Sequence, residues 1–258
     1  MNMSQWFDLS GKTAVIAGGT STLGRSMAEA LAAHGAQVAI IGRKADATAE
    51  VVAQLAEEGG KAQAFLGDMT DERDIGRVHA EVMRRYGKVD VLLYCPGVNS
   101  ATPFFELEME EWDHIMDVNV KGAIRMCQQF GQSMIGGSRG GSIILISSVS
   151  SDPPLSRVFT YSMSKAALNS MTKYLAREFA PHGVRVNAII PGFFPAEQNR
   201  AILSPERVEA IMRHTPMGRF GTPEELQGTA VWLASERASG FVTGALIRVD
   251  GGFGAMTI

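Results

Sequence analysis

Seven short runs of apolar residues, separated by stretches with helical periodicity, constrain the fold of this chain most strongly. Each run is nearly continuous in Val, Ile, Leu and Ala, whereas a strand with one face in water would alternate apolar and polar residues. Such nearly continuous runs therefore predict strands of a parallel sheet that helices cover on both faces. The predicted strands are Thr13–Ala17, Gln37–Ile41, Ala62–Leu66, Val89–Tyr94, Ser142–Ser147, Arg185–Ile190 and Ala245–Val249.

The stretches between these strands predict the helices. The spacing of apolar residues favours helices at about Leu23–His34, Asp46–Glu58 and Asp71–Tyr86, and one long helix at Glu110–Ser133. Strands that alternate with helices through right-handed crossovers give an α/β fold. The sequence has 258 residues and no internal repeat or linker, so it predicts a single doubly wound Rossmann-type domain over residues 1–258, with a seven-stranded parallel sheet flanked by helices.

The composition excludes several classes of protein. The formal net charge is −3 with both signs mixed along the chain, so neither a nucleic-acid-binding surface nor a polybasic membrane patch is expected. No apolar run approaches the ~18–20 residues needed to cross a bilayer, and the N-terminus lacks the apolar core of a signal peptide. Cys95 and Cys127 form no CxxC pair, which predicts no disulfide framework and no metal site, and suits a cytoplasmic protein.

A glycine-rich turn, AGGTSTLGRS, follows the first predicted strand and leads into the first predicted helix. Gly18, Gly19 and Gly24 allow a tight turn in which the backbone can approach a pyrophosphate. Free N–H groups and the helix dipole favour an anion at such a helix N-terminus. The alternative is a turn that only packs the helix onto the sheet.

The residues after the second strand bear on the choice between NADP(H) and NAD(H). An acidic residue there would bind the adenosine ribose and repel a 2′-phosphate, whereas an arginine would accept the phosphate. Gly42 stands at the expected acidic position and is followed by Arg43 and Lys44, which favours NADP(H). NAD(H) is the alternative if these two cations only lie in a solvated loop. Asp68 either meets the adenine amino group or caps the helix that follows it.

Tyr161 and Lys165 point most directly to a reaction. Their i, i+4 spacing on a predicted helix places them side by side. A tyrosine with its ordinary pKa near ~10 exchanges protons poorly at neutral pH, and we expect the neighbouring ammonium to lower that pKa. The pair predicts a proton carrier; the alternative is a chance contact on a helix surface.

Two further polar residues lie where such a site is expected. Ser148 follows the fifth strand, and ligands of open α/β sheets bind beyond the carboxyl ends of strands. Its hydroxyl can therefore hold a substrate oxygen, although it could instead cap a turn, and Ser147 is an adjacent alternative. Asn119 is an amide inside the long predicted helix, which indicates either a water bridge toward the lysine or a kink.

In these motifs the chain resembles the short-chain dehydrogenase/reductase family from end to end. The matching landmarks are the glycine turn, NVKG, the serine, the tyrosine and lysine, VRVNAIIPG, and VTG followed by DGG. The resemblance implies that Tyr161 is the general acid/base and that Ser148 orients the carbonyl. It also implies that Lys165 lowers the tyrosine pKa and grips the nicotinamide ribose, and that Asn119 holds a relay water. The implied cofactor-binding residues are Gly18, Thr20, Ser21, Thr22, Leu23, Gly24, Arg43, Lys44, Asp68, Met69, Pro96, Gly97, Tyr161, Lys165, Pro191, Gly192 and Phe194.

The chain departs from the family's pattern at three places. Thr22 replaces the middle glycine of the TGxxxGxG turn, and Ala17 replaces its leading threonine. The sequence YCPG, residues 94–97, stands in place of NNAG. Ala196 replaces the threonine of PGxxxT. These departures concern cofactor contacts and leave the proton-transfer residues intact.

Substrate specificity is expected in the loops beyond the strand ends, including a lid at about residues 192–215. Arginine binds carboxylates in a bidentate manner, so hydrogen-bonding groups together with an arginine suit a polyhydroxylated carboxylate. The alternative is that the arginines are solvated or pair with acids such as Glu197. The candidate substrate residues are Arg157, Phe193, Gln198, Asn199 and Arg200.

The stretches GFFPAEQNR and RHTPMGRFGTPEEL resemble the sugar-acid branch of the family, which includes D-mannonate oxidoreductases (fructuronate reductases) and gluconate dehydrogenases. We therefore expect hydride transfer between NAD(P) and a sugar acid such as D-mannonate, fructuronate or a gluconate. The alternatives are a reductase of apolar ketones or 3-oxoacyl thioesters, and a non-catalytic dinucleotide-binding sensor. The resemblance also implies a homotetramer.

Overall fold

The sheet contains seven strands, all parallel, in the order β3-β2-β1-β4-β5-β6-β7. This computed structural model describes residues 3–137, 140–194 and 204–256. The strand order and direction confirm the predicted doubly wound sheet, and the predicted strands differ from the observed ones only at their ends. The strands are β1 Thr13–Ala17, β2 Gln37–Gly42, β3 Lys61–Leu66, β4 Val91–Tyr94, β5 Gly141–Ile146, β6 Val184–Pro191 and β7 Leu246–Val249.

Helices cover both faces of this sheet. Side chains cap several of them: Ser21 accepts from the Gly24 N–H at the start of α1, and Asp71 accepts from two backbone N–H groups at the start of α3. The helices are α1 Thr22–Ala33, α2 Ala45–Glu57, α3 Glu72–Tyr86, α4 Met109–Met116, α5 Gly122–Gly136, α6 Phe159–Phe179, α7 Pro205–His214, α8 Gln227–Ala234 and α9 Glu236–Ser239.

The apolar core is divided into two main clusters by the sheet. Ile16 of β1 packs with Met27 and Leu31 of α1 on one face. Its neighbour Val15 packs with Phe130 of α5 on the other face, because successive side chains of a strand point to opposite sides. Both faces of the central strands are therefore shielded from water, which explains why most of their residues are apolar.

The long helix predicted at Glu110–Ser133 is interrupted. A π-helical turn over Asp117–Lys121 separates α4 from α5. The Gly122 N–H donates to the Asp117 carbonyl, five residues back, where an α-helix would use the carbonyl four residues back. The kink considered for Asn119 is therefore present as an inserted π turn with Asn119 at its centre.

No helix in the described ranges is long and apolar enough to cross a membrane. Over the same ranges, no group of three or more His, Cys, Asp or Glu side chains is arranged to hold a metal ion. The described residues that were predicted to be functional lie in loops and helix starts beyond the carboxyl ends of β1 to β6, except Asn119, which lies in the π turn.

Candidate active site

The glycine turn after β1 has the shape of a phosphate cradle. Gly18 has a φ of +74°, and a methyl group on it would lie 2.9 Å from the Pro96 nitrogen. A methyl group on Gly24 would overlap the Gly18 carbonyl oxygen. Both positions therefore require glycine, because a side chain would fill the cradle or separate the turn from the helix.

The start of α1 completes this cradle. Ser21 donates to the Gly18 carbonyl at 2.8 Å and accepts from the Gly24 N–H at 3.1 Å, which fixes the turn. Thr22, which replaces a family glycine, is the first residue of α1 and is exposed, as is Thr20, while Leu23 is half-buried. The first N–H groups of a helix have no intrahelical partner, so this end can bind an anion. The residues fit a dinucleotide pyrophosphate.

The loop after β2 presents two cations. A methyl group on Gly42 would overlap the hydroxyl of Thr48, so this backbone leaves no room for an acidic side chain at that position. Arg43 and Lys44 are exposed, and Arg43 Nη1 lies 3.7 Å from Asp68 Oδ2. Arg43 and Asp68 therefore lie close together where the adenosine end of a dinucleotide is expected.

Asp68 does not cap α3, so that alternative is wrong. Asp71 is the capping residue, because its carboxylate accepts from the N–H groups of Arg73 and Asp74. Asp68 instead accepts from the N–H and the hydroxyl of Thr70, both at 2.8 Å. Desolvation raises the pKa of Asp68, but the Thr70 hydrogen bonds and the charge of Arg43 outweigh it and leave that pKa below its usual value. Met69 beside it packs in the core.

Tyr161 and Lys165 lie side by side on the first turns of α6. Lys165 is 2% exposed, and its ammonium lies 5.5 Å from the centre of the Tyr161 ring. Lys165 Nζ donates to the Ile146 carbonyl at 2.9 Å. A methyl group on Gly97 would lie 3.3 Å from the same nitrogen, so this glycine lets the loop after β4 approach the lysine.

The pKa values of this pair are set by burial. Desolvation lowers the pKa of Lys165 to about 8. Desolvation also raises the pKa of Tyr161 above its usual value, and the neighbouring Ser148 hydroxyl acts in the opposite direction. The direction for Tyr161 is opposite to the one expected from the neighbouring ammonium, because the cost of burying a phenolate is the largest effect.

The two adjacent serines after β5 have different roles. Ser147 is buried, and its hydroxyl donates to the Lys165 carbonyl at 3.1 Å, so it joins β5 to α6. Ser148 faces the cavity beside Tyr161. Its oxygen accepts from the N–H of Ser150 at 3.2 Å and from the Ser150 hydroxyl at 3.1 Å, which leaves its own proton free to donate. Ser148 also begins a short 3₁₀ turn, so the capping alternative holds alongside this orientation.

Asn119 connects three elements from the π turn. It is fully buried, its Oδ1 accepts from the Val98 N–H at 2.8 Å, and its Nδ2 donates to the Val98 carbonyl at 3.0 Å. Nδ2 also donates to Ser164 Oγ at 2.9 Å. Both amide hydrogens are used by protein atoms, so a water bound here would have to donate to an oxygen.

A cavity of about 170 Å³ lies beside Tyr161 and Ser148. Among the described residues, two arginines line it: Arg157, which has a φ of +71°, and Arg207 of α7. Arg207 donates to the hydroxyl of Ser156 at 3.2 Å and to its carbonyl at 3.0 Å. No carboxylate is among the described lining residues, which are Asn99, Ala101, Ser148, Val149, Ser150, Leu155, Arg157, Val158, Tyr161, Gly192, Phe193, Phe194, Arg207 and Phe220.

A larger cavity, about 570 Å³, opens at the amino ends of the strands. Three charged side chains that line it join segments of the chain: Lys12 pairs with Asp90 at 3.3 Å, and Arg185 donates to the hydroxyl of Ser239 and to a backbone carbonyl. Ligands of open α/β sheets bind at the opposite edge, where Tyr161 lies. The smaller cavity is therefore the candidate substrate site.

The structure brings most of the predicted site together. Pro191 ends β6, and Gly192 follows where a methyl group would lie 2.6 Å from the Asp250 Cα. Phe193 and Phe194 line the cavity, and Phe194 is also packed in the core. Arg207, Asn99 and Phe220 were not predicted. The remaining candidates, Ala196, Glu197, Gln198, Asn199 and Arg200, lie outside the described residues, as does part of the expected lid.

Known proteins with similar sequences identify the family. A family model described as enoyl-(acyl carrier protein) reductase matches residues 17–254. The chain belongs to the short-chain dehydrogenase/reductase family. It is 38% identical to the uncharacterized oxidoreductase UxuB of Bacillus subtilis, over 95% of this chain and 96% of that protein. It is 33% identical to gluconate 5-dehydrogenase of Gluconobacter oxydans, over 98% of each.

A solved structure of this family superposes closely. Gluconate 5-dehydrogenase from Burkholderia cenocepacia, in complex with NADP and tartrate, matches with a TM-score of 0.95 at 30% identity, covering 99% of this chain and 100% of that chain. As a short-chain dehydrogenase/reductase, the protein is an oxidoreductase that acts on CH–OH groups.

Proposed function

We propose that the protein transfers a hydride between NADP(H) and a sugar acid of the gluconate or mannonate type. The observation that carries the proposal is the cavity beside Tyr161 and Ser148, which Arg157 and Arg207 line. Arginines that line the cavity next to Tyr161 and Ser148 favour a carboxylate over an uncharged ketone. The proposal is also supported by the relatives, since two of them are named gluconate 5-dehydrogenases and one is bound to tartrate, a polyhydroxylated carboxylate.

The cradle at Gly18 and the start of α1 would hold the pyrophosphate. Arg43 and Lys44 would hold a 2′-phosphate, and Asp68 would meet the adenine. Lys165 and Gly97 would lie at the nicotinamide ribose. When bound, the dinucleotide supplies or accepts the hydride, and every other step falls to side chains of this chain.

Proton transfer would use Tyr161 and Ser148. In the direction of reduction, the Tyr161 hydroxyl gives its proton to the carbonyl oxygen, and Ser148 donates a hydrogen bond to the same oxygen as negative charge develops there. The raised pKa of Tyr161, caused by burial, keeps the phenol protonated for this step at neutral pH. In the direction of oxidation, the tyrosine must first lose its proton, and the Lys165 ammonium lies where it stabilises the phenolate.

A substrate panel tests the proposal. Purified protein is given NADP⁺ or NADPH and three classes of substrate: sugar acids with their keto forms, the corresponding uncharged polyols and sugars, and apolar ketones. We expect the highest kcat/KM with a sugar acid. Turnover of apolar ketones alone would contradict the sugar-acid assignment, and cofactor binding without any turnover would favour the sensor.

Cofactor choice is tested separately by comparing kcat/KM for NADPH and NADH with the same substrate. We expect NADPH to be preferred, and Arg43→Ala to reduce that preference while Arg84→Ala, an exposed arginine on α3, leaves it unchanged. A preference for NADH that Arg43→Ala does not alter would contradict the role of Arg43.

A further inference from the structure

Tyr94, the last residue of β4, contacts the π turn through its hydroxyl. The side chain is fully buried, and Oη donates to the Val118 carbonyl at 2.5 Å. Burial raises the pKa of Tyr94 far above its usual value, so the hydroxyl remains a donor. The family pattern has asparagine at this position, which is too short to reach the turn in the same way.

Val118 O is available to Tyr94 because of the π turn itself. In an uninterrupted α-helix the Gly122 N–H would donate to Val118 O. Here it donates to Asp117 O instead. A methyl group on Gly122 would overlap the Tyr94 hydroxyl and would lie 2.8 Å from the Met69 carbonyl oxygen. The tyrosine hydroxyl and the glycine therefore fit each other.

The π turn leads directly to the site. Asn119 follows Val118 and is hydrogen-bonded to both backbone groups of Val98 and to Ser164. Ser164 precedes Lys165, and Val98 follows the glycine that lies against the lysine ammonium. A shift of the π turn would therefore move both segments that surround Lys165: the loop after β4 and the first turns of α6.

We propose that Tyr94 is a positioning residue, whose hydroxyl holds the π turn at Val118 and thereby fixes Asn119 between the loop after β4 and the helix that carries Lys165. That the Tyr94 hydroxyl holds the π turn, which is the packing part of this proposal, is inferred from the contacts alone. Its effect on turnover rests on the proposed function.

A double-mutant cycle on thermal unfolding tests the packing part. Tyr94→Phe leaves a buried carbonyl without its donor, and we expect it to lower Tm by about 2–4 °C. Tyr86→Phe, which removes the hydroxyl of a half-buried tyrosine on α3, is the control and should change Tm less. Gly122→Ala should lower Tm more in the native background than in Tyr94→Phe, because only the native background contains the overlapping hydroxyl. The contact of the added methyl group with the Met69 carbonyl oxygen is the same in both backgrounds, so it does not affect the difference between the two losses of Tm. Equal losses in the two backgrounds would overturn the proposal.

A second cycle, on kcat, tests the effect on the reaction. We expect Tyr94→Phe to lower kcat by about tenfold in the native background, since small displacements at a reacting site are costly, and to change it little in the Asn119→Ala background. The same fold loss in both backgrounds would show that Tyr94 does not act through Asn119 and would overturn the proposal. If the native protein turns over no substrate, the proposed function fails, while the unfolding cycle still decides the role of Tyr94.

Discussion

Lys165 donates through its ammonium to the carbonyl oxygen of Ile146, the last residue of β5, at 2.9 Å. This bond holds the charge beside Tyr161 in a place from which water is nearly excluded, since Lys165 is 2% exposed. Burial lowers the pKa of Lys165 to about 8. The buried place beside Tyr161, where the Lys165 ammonium can act in the reaction, therefore disfavours the positive charge of that ammonium.

This conflict gives the stability of the protein a defined dependence on pH. An unfolded lysine keeps its proton up to about pH 10, whereas folded Lys165 releases it near pH 8, so the unfolded state binds more protons between these values. The free energy of unfolding of the native protein, relative to Lys165→Met, should be constant below pH 8 and should rise between about pH 8 and pH 10. The same series with Lys173→Met, an exposed lysine on α6, should show no such rise. A constant difference for Lys165→Met would contradict the effect of burial.

Ser147 and Ser148 form a matched pair of variants. Ser148→Ala removes the hydroxyl that faces the cavity, and we expect kcat to fall by about a hundredfold, as for loss of a donor to developing oxygen charge. Ser147→Ala removes only the bond to the Lys165 carbonyl and should retain kcat within a few-fold, with a loss of stability of about 1 kcal/mol. Steady-state kinetics and thermal unfolding distinguish the two. Equal losses of kcat would refute the assignment of Ser148.

Arg207 should determine affinity for the substrate carboxylate. Arg207→Gln removes a charged donor, and we expect KM for a sugar acid to rise by about 10- to 100-fold, while KM for an uncharged polyol is unchanged. Arg213→Gln on the same helix is the control, because that arginine is exposed and pairs with Glu209. A parallel rise for charged and uncharged substrates would mean that Arg207 acts only through its bonds to Ser156.

The glycine turn should tolerate no side chain at Gly18. Gly18→Ala places a methyl group against the Pro96 backbone at a φ of +74°, and we expect it to destabilise the fold by about 1–2 kcal/mol or more and to weaken NADPH binding. Gly76→Ala, in the open middle of α3, should stabilise by about 0.5–1 kcal/mol and leave binding unchanged. Titration of NADPH by fluorescence and thermal unfolding measure both effects. NADPH affinity equal to that of the native protein in Gly18→Ala would rule out the cradle.

The sheet is predictable from sequence because its central strands are shielded from water on both faces. All residues of β1 and β6 are buried, and their sequences are apolar except for Thr13, Arg185 and Asn187. The alternation of strands with helices then leaves few possible orders and directions for the strands in the sheet. The glycine turn and the Tyr161–Lys165 spacing are also local in sequence.

Features that depend on tertiary contacts are not predictable in this way. The π turn inserts one residue into a helix, and Asn119 in an apolar stretch is its only local signal. Arg207 lies in PERVEAIMRH, which has the pattern of a helix with one face in water, and only folding brings it against Ser156. The direction of the Tyr161 pKa depends on burial, whereas the sequence shows only the neighbouring charge.

The most direct test of the central claim, that Tyr161 carries the proton, is hydride transfer by Tyr161→Phe. The absorbance of NADPH is followed with the best sugar-acid substrate, and NADPH affinity is measured on the same preparation. We expect kcat to fall by at least about a hundredfold while NADPH affinity stays within a few-fold of native, because the variant loses the acid and keeps the phosphate-binding turn. Turnover within a few-fold of the native rate would contradict it.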